Sequence, residues 1–590
     1  MSYNERKKDS TPMNRGRLYF VQVAFLIGAG ALLWRMVELN TEQSAFLKGQ
    51  GDARALRVVE ISAHRGMISD RNGEPLAIST PVDSVWANPK VLIHQQKRLP
   101  ALAKAVGIPL KQLQRKISGN SGRGFIYLRR RVSPSMANKV TQLDINGVAL
   151  QSEYRRYYPM GEVAAHVVGF TNIDDQGQEG AELMMDEQLR GVSGSKRVIK
   201  DLYGRIVENV ERISPSINGE NIELSIDRRV QYLAYRELKA TVERNQAKGG
   251  SAVVLDIKTG EVLAMVNQPA YNPNNRRQLK SSALRNRALT DVMEPGSTMK
   301  PFTIAAALES GQFKPTTTVD TSPGRLKLAG FTIRDFRDYG TIDLTTVMQK
   351  SSNVGASKIA MALDSGEMWG MLTRLGFGID SGSQFPGESS GHLRSFQQWR
   401  KVEQATIGYG YGISATPLQL ARAYAAIAAD GVVHPVSFLK YRDGDHIPGE
   451  RVMKVSVARE VRTMMEKVVQ TGGTGTKAQI TGYRVAGKTG TVRKAVAGGY
   501  DKENYLAIFA GMAPASDPRL VMISLIDQPQ AGDYYGGVVA GPLFSKVMAG
   551  ALRLLDIPPD DLKQQPPSLM AISPPASAVR LTASTLKVKS

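Results

Sequence analysis

The longest hydrophobic run of the chain lies near its N-terminus. Residues 18–34 are apolar except for Gln22, and a helix extended to Leu39 would span roughly 33 Å, enough for a bilayer core of about 30 Å. Basic residues precede the run, so the positive-inside rule predicts a cytoplasmic N-terminus, with the bulk of the chain outside. A cleaved signal peptide, with Ala29 and Ala31 as its small-residue site, is the alternative, but this site lies inside the apolar run, which continues beyond it. We expect a retained anchor and no second apolar segment of spanning length.

After the anchor, the pattern of apolar and polar residues predicts short mixed elements. Strand-like residues over 58–77 flank a turn at 70–73. Helical spacing over 100–117 predicts two short helices. Asp227 ends a strand and is a good N-cap for a helix over 228–245, so we place a domain boundary there.

The second half of the chain predicts one α+β domain. Five β-rich runs flank a helix-rich middle over 297–469, which indicates a sheet that joins early and late segments. The five runs are 252–257, 261–266, 483–492, 505–513 and 520–526. Beyond residue 558 the chain is rich in Pro, Ser and Ala, which is typical of a disordered tail.

The composition excludes some classes of function. With 590 residues and 42% hydrophobic residues, the chain can form two or three folded domains. It has no cysteine, which excludes disulfides and cysteine-ligated metals. The net charge of +22 favours an acidic partner such as nucleic acid, anionic lipid or an acidic polymer, although a solubilising surface explains it equally well. No compact basic run or zinc-ligand spacing supports nucleic acid.

Three short motifs carry the candidate chemistry. They are Ser297-x-x-Lys300, Ser351-x-Asn353 and Lys488-Thr489-Gly490. Each is weak alone, because similar triplets occur elsewhere in the chain. Context favours the first: a Pro-Gly pair precedes Ser297, which opens a helix, and residues three apart share one helical face. The free N–H groups of a helix N-terminus also favour an oxyanion, so this position suits a nucleophile, with helix capping as the alternative role.

The other two motifs offer groups that move a proton and bind a peptide. The hydroxyl of Ser351 is suited to relaying a proton, and the amide of Asn353 to holding a peptide amide. Lys488 offers a positive charge on a predicted strand that continues to Thr491, and Gly490 would let a substrate approach closely. The alternative role of the second motif is a helix cap or a turn, and that of the third is a hairpin turn.

With the three motifs in this order, the chain resembles the superfamily of penicillin-binding proteins and serine β-lactamases. Further motifs narrow the resemblance to class B penicillin-binding proteins, over about residues 17–555. They are RGMI at 65–68, DRNG at 70–73, RRYYPMGEVAAHVVGF at 155–170 and TPLQLA at 416–421. SSNVG at 351–355 resembles the division-specific septal enzymes, since elongation-type relatives more often carry Asp at the position of Asn353.

The resemblance implies a fold and a division of the chain into segments. The implied fold class is α+β, with an N-terminal transmembrane helix, an elongated pedestal domain and a transpeptidase domain whose antiparallel sheet is flanked by helices. The expected segments are 1–17 (cytoplasmic tail), 18–39 (transmembrane helix), 40–226 (pedestal of the dimerisation type), 227–557 (transpeptidase domain) and 558–590 (disordered tail).

The resemblance also implies a mechanism that needs no metal or cofactor. Ser297 would attack the D-Ala–D-Ala bond of a stem peptide, Lys300 would take its proton, and Ser351 would pass a proton to the departing D-Ala. The implied substrate-binding residues are Asn353, Lys488, Thr489, Gly490 and Thr491. Backbone N–H groups of Ser297 and Thr491 would form the oxyanion hole. Like-charge repulsion from Lys488 would lower the pKa of Lys300.

The implied partners are stem peptides, β-lactams, the membrane, and an FtsW-type glycosyltransferase with other divisome membrane proteins, but not nucleic acid. Small residues at 28–31 offer a face for packing against such a membrane partner. The implied location is the inner membrane at the division septum, with the C-terminal bulk in the periplasm. A D,D-carboxypeptidase, an elongation-type transpeptidase, a β-lactamase and a non-catalytic β-lactam sensor or scaffold are the alternatives. The long pedestal and the anchor argue against a β-lactamase, and the complete motif set argues against a dead site.

Overall fold

The computed structural model describes residues 15–43, 46, 56–200, 206–277, 280–496 and 498–561. The described chain divides into two compact units. The small unit comprises the residues up to Ala63, together with Pro81–Tyr154 and Val192–Ile217. The large unit comprises His64–Thr80, Arg155–Gly191 and the chain from Asn218 onward. The tail predicted to be disordered falls almost entirely outside the described residues, and the expected segment boundaries stay predictions.

The strands of both units are numbered in chain order. They are β1 (Leu56–Ile61), β2 (Ile68–Ser69), β3 (Pro75–Ala87), β4 (Ile126–Val132), β5 (Val148–Tyr157), β6 (Phe170–Thr171), β7 (Gly177–Glu179), β8 (Gly194–Lys200), β9 (Ile206–Ser214), β10 (Ile222–Glu223), β11 (Gly249–Asp256), β12 (Val262–Gln268), β13 (Thr318–Asp320), β14 (Arg325–Leu328), β15 (Phe331–Arg334), β16 (Thr341–Asp343), β17 (Val432–Val433), β18 (Glu450–Arg451), β19 (Ala486–Val496), β20 (Gly499–Ala513) and β21 (Leu520–Asp527).

The α-helices are described by their bounds. They are Arg15–Thr41, Pro89–Leu92, Leu99–Val106, Leu110–Ser118, Pro134–Gln142, Ala165–Val168, Gly180–Met184, Asp186–Arg190, Arg228–Arg244, Ser281–Leu284, Arg287–Thr290, Lys300–Glu309, Leu344–Lys350, Asn353–Ala362, Ser365–Arg374, Lys401–Ile407, Pro417–Ala428, Val455–Val469, Gly536–Val539 and Gly541–Leu554.

The helix Arg15–Thr41 is apolar and has no buried residue, as is expected of a helix that faces lipid. It fits a single-pass membrane anchor. A second segment, Gly536–Leu554, is also long and apolar enough to cross a membrane, contrary to the expectation that none follows the anchor. However, 56% of this segment is buried, and its apolar residues belong to the core of the large unit. Its hydrophobicity therefore reflects burial in protein.

The small unit contains a three-stranded antiparallel sheet in the order β1-β8-β9 and an antiparallel pairing of β3 with β4. The two helices predicted over 100–117 are confirmed as Leu99–Val106 and Leu110–Ser118. Gly107 separates them at φ +63°, a left-handed conformation that suits glycine at a helix C-terminus. Buried residues of these helices, including Leu102 and Leu113, pack with β4 to form the core of the unit.

The centre of the large unit is the predicted sheet. Its antiparallel strands have the order β12-β11-β21-β20-β19, so early strands β11 and β12 lie beside late strands β19 to β21. Alternate side chains of β11 enter different cores: Val253 belongs to one, and Val254 to the other. Helices therefore cover both faces of the sheet, with Lys300–Glu309 and Pro417–Ala428 on one side and Gly541–Leu554 on the other. This arrangement confirms the α+β class.

A buried histidine makes the stability of the large unit depend on pH. His166 is almost fully buried, its Nε2 lies 2.9 Å from the carbonyl oxygen of Ala283, and burial lowers its pKa to about 4. The folded state thus opposes protonation, whereas an unfolded histidine titrates near 6.5. We expect the free energy of unfolding to be unaffected by this group above pH 6.5 and to fall by about 3 kcal/mol as the pH drops from 6.5 to 4.

Chemical denaturation across this pH range tests the expectation. A His166→Gln variant has no titrating group at this position, so its free energy of unfolding should decline less steeply between pH 6.5 and 4. Parallel declines in the variant and the unmodified protein would contradict it.

Candidate active site

The first motif lies where a tight turn opens a buried helix. Gly296–Met299 forms a 3₁₀ turn that continues into the helix Lys300–Glu309. Gly296 has φ +56°, and a Cβ atom there would come within 2.4 Å of the Val492 side chain, so both conformation and space favour glycine. Lys300 is fully buried, and its Nζ lies 3.0 Å from Oγ of the partly exposed Ser297.

The second motif meets the same lysine. Ser351 follows the helix Leu344–Lys350 in a left-handed conformation with φ +60°. The Nζ atom of Lys300 donates to Ser351 Oγ at 3.0 Å and to Asn353 Oδ1 at 2.8 Å, and it also donates to the Ser351 carbonyl. One amine thus joins both serines to the asparagine.

The third motif approaches from the edge of the sheet. Lys488 lies on β19, is fully buried, and donates from Nζ to Ser351 Oγ at 2.9 Å. The Ser351 hydroxyl therefore lies between two amines. The structure brings the first two motifs together with Lys488, as the predicted mechanism requires.

Gly490 serves the packing of β19. A Cβ atom at this position would lie 3.0 Å from Thr298 Cγ2 and 3.3 Å from the Pro295 carbonyl oxygen. Glycine therefore lets the strand pack closely against the turn that carries Ser297. The sequence suggested only a close approach by substrate.

The two threonines of the third motif contact neighbouring protein through their side chains. Thr489 Oγ1 lies 2.8 Å from Thr474 Oγ1, and Thr491 Oγ1 accepts a hydrogen bond of 2.9 Å from the N–H of Gly536. In the described sheet, β19 is the last strand and pairs with β20. The outer edge of a last strand can pair with an extended peptide. The predicted substrate-binding roles of both threonines stay predictions.

Sequence reasoning missed Asp335. Its carboxylate accepts hydrogen bonds from Ser352 Oγ at 2.5 Å and Val354 N at 3.0 Å, and also from Asn353 N. Asn353 Nδ2 donates to the Arg334 carbonyl at 3.0 Å. The last residue of β15 and the residue that follows it therefore hold the second motif in place. No local sequence signal marks this contact, because its partners lie 17 to 19 residues further along the chain.

Burial sets the protonation of the two lysines. It is the largest cause of the lowered pKa of Lys300, and repulsion from Lys488 is the second, while the Asp335 carboxylate opposes both. Burial alone lowers the pKa of Lys488 to about 7. The sequence prediction named only the repulsion. The lowered pKa of Lys300 favours its neutral amine, which is the form that a general base requires.

Two family profiles match most of the described chain. The profile "Penicillin binding protein transpeptidase domain" matches residues 250–549, and "Penicillin-binding Protein dimerisation domain" matches residues 60–224. The chain belongs to the class B penicillin-binding proteins.

Similar proteins and solved structures belong to the same family. The chain is 46% identical to "Peptidoglycan D,D-transpeptidase FtsI" of Escherichia coli K12, with 91% of each chain covered. It is 44% identical to "Probable peptidoglycan D,D-transpeptidase PenA" of Neisseria meningitidis serogroup A, covering 92% of this chain and 94% of the relative. The transpeptidase domain of Burkholderia pseudomallei penicillin-binding protein 3 is 47% identical and superposes with a TM-score of 0.53, covering 57% of this chain and 97% of that structure. Within class B, the chain is thus of the FtsI type.

Proposed function

We propose that the protein is a peptidoglycan D,D-transpeptidase that cross-links stem peptides at the division septum. The observation that carries the proposal is the position of Lys300, whose buried Nζ contacts the hydroxyl groups of Ser297 and Ser351. A nucleophile, a base and a proton relay thus lie in one connected group. The FtsI and PenA relatives carry the matching activity in their names.

The first half-reaction forms an acyl-enzyme. Ser297 Oγ attacks the carbonyl carbon between the two terminal D-alanines while Lys300 Nζ accepts the hydroxyl proton. The C–N bond then breaks, and Ser351 passes a proton to the nitrogen of the departing D-alanine. The backbone N–H groups of Ser297 and Thr491 stabilise the oxyanion, where losing one donor typically lowers kcat by about 10²–10³-fold.

The second half-reaction transfers the acyl group to a second stem peptide. Its amine attacks the ester carbonyl, and Ser297 Oγ leaves as a hydroxyl. Before this step, during the first half-reaction, Asn353 holds an amide of the donor stem peptide, and Lys488 with Thr489, Gly490 and Thr491 receives the carboxylate of its terminal D-alanine. A β-lactam acylates Ser297 in the same way but leaves slowly.

The anchor supports a position in the inner membrane, with the N-terminus in the cytoplasm and the catalytic unit in the periplasm. The small residues at 28–31 are all exposed on the helix Arg15–Thr41, where they offer a face for an FtsW-type glycosyltransferase. Class B membership of the FtsI type supports a role in the divisome.

Analysis of the reaction products tests the proposed enzymatic activity. Mass spectrometry of muropeptides made by the purified protein, a polymerase and a lipid-linked precursor should show cross-linked dimers with D-alanine released. Trimmed monomers without dimers would identify a carboxypeptidase.

The septal role has its own expected result. Depletion of the protein in its host should give long filaments with unfinished septa, because division stops while side-wall growth continues. Light microscopy and labelling of nascent wall measure this outcome. Rounded cells with intact septa would assign the protein to elongation.

A further inference from the structure

A hairpin beside the second motif has a cationic outer face. Strands β14 and β15 pair antiparallel, with Arg325 opposite Arg334 and Lys327 opposite Thr332. These three cations are exposed and lie on one face of the hairpin, because alternate residues of a strand point to opposite sides. The other face carries Leu326, Leu328 and Ile333, which pack on the core near Val354. We call Arg325, Lys327 and Arg334 the basic hairpin face.

The basic hairpin face is electrostatically uncompensated. Like charges directly opposite each other on paired strands are destabilising, and Arg325 and Arg334 form such a pair. Among the residues that the structure describes, no carboxylate forms an ion pair with any of these three cations. These unpaired charges lower the stability of the hairpin and attract anions. A ligand that supplies the missing negative charge would explain why three cations lie together here.

The hairpin is fixed to the catalytic group. The carbonyl of Arg334 accepts from Asn353 Nδ2 at 3.0 Å, and Asn353 Oδ1 accepts from Lys300 Nζ at 2.8 Å. The next residue, Asp335, holds the second motif through three hydrogen bonds. A ligand on the basic hairpin face is therefore held at a constant position relative to Ser297.

An exposed aromatic ring follows the hairpin. Phe336 is 88% exposed, more than any other large hydrophobic side chain in the described part of the chain, including those of the membrane helix. It lies two residues beyond Arg334, so their Cα atoms are within about 7.6 Å of each other. Single exposed hydrophobic residues are ordinary, but a ring next to unpaired arginines offers a flat apolar surface beside an anion site.

We propose that the basic hairpin face, with Phe336, binds the uncross-linked glycan–peptide strand that the reaction consumes. This inference rests on the proposed function. Such a strand has repeated free carboxylates on its stem peptides and apolar faces on its sugar rings, which complement the three cations and the exposed ring. Binding here holds a polymer beside Ser297 while successive stem peptides enter the site. An acidic polymer bound at this face would also account for part of the net charge of +22.

The test compares a charge-neutralised variant with a matched control in the full-length protein. The variant is R325Q/K327Q/R334Q, and the control is R244Q/K248Q/K467Q, which removes three exposed cations elsewhere in the large unit. Binding is measured in Ser297→Ala backgrounds by co-sedimentation with purified uncross-linked strands, so it requires no turnover. We expect the hairpin variant to bind at least about tenfold more weakly, and the control to bind as the parent does.

A second measurement uses the active proteins. The ratio of strand cross-linking to acylation by a small thioester substrate should fall by on the order of tenfold in the hairpin variant, because only the polymer reaches the basic hairpin face. The R325K/R334K variant keeps both charges, so a folded hairpin should retain the strand binding and the ratio of the parent. Amidation of the strand carboxylates should weaken binding to the parent protein.

Each contrary result has a defined meaning. The inference is overturned if R325Q/K327Q/R334Q binds the strands as the parent does and has the same ratio of strand cross-linking to thioester acylation. Loss of binding to anionic lipid vesicles, with strand binding intact, also overturns it and assigns the face to a membrane surface. Failure of the parent protein to release D-alanine from any strand refutes the proposed function, whereas the co-sedimentation result stands independently of it.

Discussion

Replacement of Ser297 by alanine should abolish covalent labelling by a fluorescent penicillin and cross-linking of stem peptides. Acylation requires an oxygen nucleophile, and the Ser297 hydroxyl lies 3.0 Å from the buried amine of Lys300, at the turn that opens the helix Lys300–Glu309. Loss of a nucleophile of this kind lowers the rate by more than about a thousandfold. Gel fluorescence of the labelled protein and muropeptide mass spectrometry measure the two outcomes.

The chain provides a matched control for this substitution. Ser193 and Lys196 have the same spacing as the first motif, but Ser193 is exposed in the small unit and precedes a strand. Ser193→Ala should therefore label as the parent does. Undiminished labelling of a folded Ser297→Ala variant would place the nucleophile at another residue.

The strands of the sheet and the three motifs could be recognised in the sequence because each depends on a local pattern. Alternating and continuous apolar runs predicted strands at both ends of the domain, and β11 lies beside β21 as expected. The three motifs are recognisable because each needs particular residue types at short spacing. Their convergence followed from the family resemblance, since composition and spacing alone give no contact between residues 297 and 488.

The contacts that the sequence did not predict join distant residues with no local signal. Asp335 holds the second motif from the end of a hairpin, and the buried ion pair of Arg65 with Glu182 joins residues 117 positions apart. The fully buried state of Lys300 and Lys488 was also missed, because lysines are rarely buried. Burial is nevertheless the main cause of their lowered pKa values.

One apolar segment of the large unit shows what hydrophobicity alone leaves undecided. The segment Gly536–Leu554 is apolar enough to pass for a membrane span, but its residues pack in a protein core. Hydrophobicity alone does not distinguish a buried helix from one in lipid. Only the position of the segment against the sheet decides between them.

Replacement of Lys300 by alanine should lower the second-order rate constant of penicillin acylation by about 10²–10⁴-fold, because the general base is lost. Lys300→Arg should be equally impaired, since a guanidinium stays protonated at all accessible pH values. Stopped-flow or quenched labelling measures the rate constant, and thermal unfolding shows whether each variant is folded. Acylation by Lys300→Arg within a few-fold of the parent would exclude Lys300 as the base.

The pH profile of the same rate constant tests the two lysines separately. Lys300 must be neutral, so acylation of the parent should fall as the pH drops through its lowered pKa and protonates the amine. Lys488 must be charged to receive the substrate carboxylate, so acylation should also fall as the pH rises above about 7, where Lys488 loses its proton in the free enzyme. Lys488→Arg keeps its charge and should lose only the alkaline decline. The residual rate of Lys300→Ala no longer depends on this amine. If the decline at acid pH is present in the parent and absent from Lys300→Ala, it is caused by protonation of Lys300. The same acid decline in both proteins would assign it to another group.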